Sequence, residues 1–161
     1  MNESVSDRIE GREHLRQVVC DLVAQAAADG AHRMVWVDRD FGDWPLDEAA
    51  VLGALTRWAR PGRSLQLLAN DWRPVGQAHP RFVRWRQQFA HLVSAAQMHD
   101  DAPPLPTVLL ANLGQGLVIN DDERFIGVRL TQGRAWLDQR ERVDVWLQQS
   151  EPAFSPTTLG L

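Results

Sequence analysis

The segment from Arg33 to Ala69 constrains the fold more than any other. Arg33 to Asp38 (RMVWVD) reads as a strand and Leu65 to Ala69 as a second strand. Between them a helix is predicted over Pro45 to Arg60, with Leu46, Val51, Leu52, Leu55, Trp58 and Ala59 facing inward. Asp43 is the expected cap, and Pro45 suits a first turn because its missing N–H costs little there. Arg60-Pro61-Gly62-Arg63 breaks the helix. Strand, helix, strand with short connections requires a parallel pair joined by a right-handed crossover.

The rest of the chain is arranged around that unit. Residues 1–6 are polar and expected to be disordered, leaving 7–161 as a single α/β domain. Asp7 to Asp29 is predicted as an amphipathic helix, with Leu15, Val18, Val19, Leu22, Val23 and Ala26 in one stripe, Asp7 as cap and Gly30 as stop. A helix near Pro80 to Val93 follows the second strand, then a strand at Ser94 to His99. Thr107 to Leu113 (TVLLANL) has the continuous apolar character of a buried central strand. Gly114-Gln115-Gly116 reads as a hairpin turn into Leu117 to Ile119, and Asn120 to Glu123 as another turn before Arg124 to Leu130. These last three strands form a meander. A final helix spans Arg134 to Ser150, with Trp136, Val143, Trp146 and Leu147 on one side. The tail from Glu151 carries Phe154 and Leu159 at spacings that place it on the body of the protein.

Composition removes several chemistries. All 17 basic residues are arginine, and tyrosine is absent. A P-loop lysine, a Schiff-base lysine, a Ser-Lys pair and a tyrosine acid are therefore excluded. The single cysteine, Cys20, excludes an intramolecular disulfide and any multi-cysteine metal site. It falls off the helical stripe with nothing nearby to lower its pKa, so it reads as a bystander. No signal peptide or apolar run near ~20 residues is present, which predicts a cytoplasmic protein without a membrane segment. His99-Asp100-Asp101 offers possible metal ligands, but consecutive residues rarely converge on one ion. Asn120 to Glu123 lacks the register of a calcium loop. No metal or cofactor is expected.

The candidate site lies between Ser64 and Val93. Asp71, Arg73 and His79 fall in a loop at the C-terminal end of a strand predicted to be parallel, where α/β folds gather their ligand sites; Asp38 to Asp43 is a second such loop. His79 precedes Pro80 at a helix entrance, where the dipole and free N–H groups favour an anion. On the following helix Phe82, Trp85, Phe89, Leu92 and Val93 share one face, and Arg86 falls inside that apolar arc. Such an arginine either snorkels past the helix edge or pairs with a carboxylate such as Asp71, Asp38 or Asp40.

Leu67 to Arg73 followed by His79, Leu105 to Leu110, and Trp146 to Pro152 resemble a single phospholipase D-type domain. They resemble in particular an uncharacterised bacterial branch of that superfamily, often associated with GNAT-type acetyltransferases. The resemblance covers roughly Arg33 to Leu161. It implies a single phospholipase D-like α/β domain with a mixed, mainly parallel sheet flanked by helices. It also implies pairing of two such domains, hence a homodimer. Catalytic members carry His-x-Lys-x(4)-Asp, a histidine to attack phosphorus and a lysine to stabilise charge. The matching positions here are Leu105, Thr107 and Asn112, so that catalysis does not carry over.

The sequence thus points to a non-catalytic domain that binds a partner protein or a small anionic ligand at a strand-end cleft, through Asp71, Arg73, His79 and Arg86. One alternative is an enzyme in which His79 acts as acid or base with Asp71 as orienting partner. Another is nucleic-acid binding through the Arg/Trp-rich helix 80–93. The net charge of −4 and the core-like spacing of the aromatics weigh against nucleic acid.

Overall fold

The computed structural model describes residues 7–156. The stretch 1–6 and Leu159 lie outside them. Eight strands form one sheet: β1 (Arg8–Glu10), β2 (Arg33–Asp38), β3 (Ser64–Ala69), β4 (Val93–Gln97), β5 (Thr107–Ala111), β6 (Gln115–Asp121), β7 (Ile126–Leu130) and β8 (Glu151–Pro152). Five helices accompany them: α1 (Arg12–Asp29), α2 (Ala49–Trp58), α3 (Arg73–Ala78), α4 (Pro80–Gln88) and α5 (Arg134–Gln148). The strand order is β1-β7-β6-β5-β2-β3-β4-β8.

The β2–α2–β3 crossover forms as expected, with Arg33 opposite Ser64 and Asp38 opposite Ala69 in a parallel pair. β3 and β4 are also parallel. The other ladders are antiparallel: β1–β7, β7–β6, β6–β5, β5–β2 and β4–β8. The expectation of a mainly parallel sheet is therefore corrected. Only strands separated by a helix can run parallel. β5, β6 and β7 are joined by tight turns, which reverse the chain.

Side chains alternate between two apolar layers, as the strand period of two requires. Met34, Trp36, Leu65, Leu67, Leu109 and Ala111 face the layer filled by α1, α2 and α4. Val35, Val37, Leu68, Val108 and Leu110 face the layer filled by Trp136 and Val143 of α5. The α1 stripe is buried at every predicted position. All five residues of β5 are buried, consistent with its place between β2 and β6.

Several boundaries move. Residues 8–10 form β1 rather than the start of a helix, because Gly11 at φ 93° breaks the chain direction and Arg8 to Glu10 pair with β7. Asp7 is therefore not a cap. α2 starts at Ala49: residues 41–48 form turns in which Trp44 and Leu46 are still buried. Asp43 caps nothing and pairs with Arg12 at 2.7 Å. The helix expected over 80–93 ends at Gln88, followed by a single 3₁₀ turn at Ala90–Leu92. Gly116 lies inside β6, opposite Leu110, not in a turn. The tail does lie on the body, with Phe154 buried against Trp72 at a ring separation of 4.7 Å. No helix among the described residues is long and apolar enough to cross a membrane.

Candidate ligand-binding site

Three segments meet beyond the C-terminal ends of β2, β3 and β4. After β2 the chain turns tightly because Asp38 Oδ2 accepts N–H bonds from Asp40 (3.2 Å) and Phe41 (2.7 Å). Phe41 takes the left-handed conformation, φ 60°, that this turn imposes. After β3 the N–H groups of Asn70 and Asp71 both donate to the Arg39 carbonyl, at 3.0 and 3.1 Å. The Asn70 side chain then fastens the loop after β4: its Oδ1 accepts from Leu105 N–H at 2.7 Å and its Nδ2 donates to Pro103 O at 3.1 Å. Backbone polar groups that a loop would leave to water are thus paired between segments, which holds their separation fixed.

Between these segments lies an open cleft of about 600 Å³. Its charged walls are Arg39, Arg73, Asp40, Asp71 and Asp100, with His99 beside them. Arg73 closes a two-pronged pair on Asp71, Nε to Oδ1 and Nη2 to Oδ2, both at 3.0 Å, and its N–H also donates to Oδ1. Arg73 holds the Asp71 carboxyl below the usual carboxylate range, and the same bonds raise the Arg73 guanidinium. The Arg73 side chain is 91% exposed, so the pair orients the guanidinium more than it stabilises the fold.

The four residues singled out in the sequence do not converge. Asp71 and Arg73 line the cleft; His79 and Arg86 are interior. His79 joins α3 to α4, is buried, and its Nε2 donates to Phe41 O at 2.8 Å. Its Nδ1 has no partner among the described residues. His79 is thus bonded to the β2 turn while Asp71 is bonded to Arg73, and no hydrogen bond joins the two. The expected anion at the α4 entrance is supplied internally: Asp47 Oδ1 accepts the N–H groups of Arg81 (2.6 Å) and Phe82 (3.0 Å).

Arg86 is buried and adopts neither expected arrangement. It does not reach past the helix edge, and no salt bridge joins it to Asp71, Asp38 or Asp40. Its guanidinium carbon lies 5.7 Å from the centroid of the Phe154 ring, and burial lowers its pKa. Burial likewise raises the Cys20 thiol, as suits an unreactive cysteine.

The strand-end loops named from the sequence contain Arg39 and Asn70 without singling them out, and His99 lies outside both. The strand-end rule that selected Asp71 applies equally to the segment after β4. In the sequence His99 and Asp100 read only as possible metal ligands.

Leu105, Thr107 and Asn112, the positions that the resemblance matches to the superfamily motif, all make internal contacts. Leu105 is buried and held by Asn70. The Thr107 hydroxyl donates to Asp38 Oδ1. Asn112 Oδ1 accepts the N–H groups of His32 (2.8 Å) and Arg33 (3.3 Å), closing the start of β2.

Asp38 carries a pH signature. Burial raises its pKa above the ordinary carboxylate value, while bonds from Thr107, Phe41 and Asp40 oppose that rise. Between the unfolded and the raised folded pKa the native state holds a proton that the unfolded chain has lost. The contribution of Asp38 to stability is therefore full below about pH 4 and is lost as pH rises through the folded pKa. Denaturant unfolding across pH 3–7 is expected to show wild type losing stability relative to Asp38→Asn as pH rises. A difference that grows in the opposite direction would contradict this assignment.

No protein-family model matches the sequence, and no match is found among curated proteins. Solved structures do match. The archaeal chromatin protein TrmBL2, whose structure shows a novel mode of DNA binding, superposes with a TM-score of 0.64 at 9% identity, over 91% of this chain and 53% of that one. Nuc from Salmonella typhimurium, a phospholipase D family member, gives 0.57 at 9% identity, over 83% and 89%. NucT from Helicobacter pylori gives 0.56 at 7% identity, over 91% and 97%. The fold is phospholipase D-like. At these identities the likeness concerns the fold alone, and the chain spans about half of TrmBL2. The phospholipase D-like sheet supplies the frame on which the cleft is built.

Proposed function

We propose that this phospholipase D-like domain is a binding module that holds a small anionic, phosphate-bearing ligand in the cleft beyond β2, β3 and β4. The observation that carries this is the oriented, highly exposed Arg73, fixed by Asp71 and facing a cleft that also presents Arg39 and His99. A planar guanidinium already held in place loses little freedom on binding a phosphate or carboxylate. A non-catalytic reading draws on the sequence resemblance, which matches Leu105, Thr107 and Asn112 to the nucleophile, cation and acid of the superfamily motif; each of the three makes an internal contact.

Phosphate, pyrophosphate and mononucleotides are expected to raise the melting temperature of the wild-type chain. Arg73→Ala should weaken the best of them by about tenfold or more, the usual worth of a charge-assisted hydrogen bond. Absence of any shift, or equal affinity of Arg73→Ala, would refute the proposal.

The likeness to TrmBL2 favours one second reading, contact with nucleic-acid phosphates. It cannot use α4 as a stacking platform, because Phe82, Trp85 and Arg86 are buried, and of the helix arginines Arg81 and Arg84 alone are exposed. It would rest on backbone contacts alone, and filter binding at low salt tests it under the most favourable conditions.

A further inference from the structure

The segment Glu151 to Pro156 forms a strap across one edge of the sheet. Glu151 and Pro152 pair with Gln97 and Ala96 of β4, and Ala153 N–H donates to Ala95 O at 3.0 Å. Phe154 stacks on Trp72 with only 9° between the ring planes, and the same ring lies against Arg86. The strap therefore covers an edge strand, an aromatic face and a cation together.

It covers them imperfectly. Arg86 is 4% exposed, yet its Nε and Nη1 have no acceptor among the described residues. The Phe154 ring offers its quadrupole but no lone pair to those N–H groups. Phe154 also sits at φ 50°, a left-handed conformation unfavourable for any residue with a Cβ. The ladder that holds the strap is two residues long. An edge strand covered so briefly can add a strand from another chain.

We propose that the strap is an internal stand-in for an extended acidic peptide. The peptide adds to β4 as a strand, lays an aromatic side chain on Trp72 and brings to Arg86 a carboxylate, which Glu151 of the strap does not do. The occupant is set by what the surface already accepts and what it leaves unmet. A second copy of the strap would again leave Arg86 without an acceptor. A free inorganic anion would satisfy Arg86 but not the β4 edge or the Trp72 face. This surface is distinct from the ligand cleft except at Gln97, which lines the cleft and pairs with Glu151.

Fluorescence anisotropy tests it with two fluorescein-labelled peptides. One has the sequence of residues 150–156; the other carries Ala153→Asp and Ser155→Asp. Each is titrated with the full-length chain as wild type, as Phe154→Ala, and as Phe154→Ala combined with Arg86→Met. Phe154→Ala loosens the strap and is expected to bind the acidic peptide at least tenfold more tightly than wild type does. It should also prefer the doubly Asp-substituted peptide over the unsubstituted one by at least tenfold, and Arg86→Met should abolish that preference. Equal binding of both peptides, a preference that survives Arg86→Met, or no binding to Phe154→Ala would overturn the proposal. Should circular dichroism show Phe154→Ala unfolded, Ala153→Pro replaces it, since it removes the N–H bonded to Ala95 O and leaves the Phe154 side chain in place.

Discussion

Arg86→Met is expected to raise the free energy of unfolding by about 2 kcal/mol, within the range seen when buried charges give way to apolar side chains of similar volume. The reasons are local. Arg86 sits on the apolar face of α4, its Nε and Nη1 lack acceptors among the described residues, and burial already lowers its pKa. The contact with Phe154 offsets part of that cost, by about 1 kcal/mol. Methionine keeps the unbranched stem and fills the space without an unmet donor. Urea unfolding should show a higher midpoint with an unchanged slope. A loss of about 3 kcal/mol would instead identify Arg86 as one half of a satisfied pair. A gain in stability would also show that keeping arginine here serves something other than folding, as the peptide site requires.

Gly116→Ala is expected to cost about 3 kcal/mol and to leave the chain largely unfolded or insoluble on expression. A Cβ at this position would lie 2.1 Å from the Leu109 carbonyl oxygen and 3.1 Å from Leu110 Cδ2. Both neighbours belong to β5 in the centre of the sheet, so neither can give way without breaking the ladder. Gly127 meets the same obstacle, 2.0 Å from the Val118 oxygen. Gly53→Ala is the contrast. It lies inside α2 with only the flexible end of Arg57 within reach, at 3.6 Å, and is expected to gain about 0.5–1 kcal/mol. Thermal unfolding of the three variants would check both signs. Equal effects at Gly116 and Gly53 would mean the close strand approach is not what glycine serves.

Gly116 also shows where sequence reasoning stops. Beside Gly114 it reads as half of a hairpin turn. The turn in fact closes at Gly114, with φ 88°, and Gly116 is already paired in β6. A glycine selected for backbone freedom and one selected for lack of a side chain look alike until the opposing strand is in place. β1 was hidden for a related reason. Arg8 to Glu10 has no periodicity of its own, and its pairing partner lies at 126–128.

The candidate site divides along the same line. The strand-end rule located Asp71 and Arg73, because the end of a strand is a local property. It also gathered His79 and Arg86 into the same site, which the structure does not. Sequence distance says nothing of side-chain direction across a junction: His79 turns inward to Phe41 O, and Asp47, 35 residues before Phe82, takes the helix entrance. His99 joins the cleft from the segment after β4, which the sheet order brings beside the other two.

What the sequence determined by itself is what depends on near neighbours. The α1 stripe, the β2–α2–β3 crossover, the buried run of β5 and the anomaly of Arg86 all follow from periods of 3.6 and 2 within one element. Only the tertiary structure decided that β5 inserts antiparallel beside β2, that Phe154 covers Arg86, and that three loops enclose one cleft. Those outcomes rest on contacts between residues far apart in the chain, whose geometry is fixed by how the whole apolar surface is buried at once.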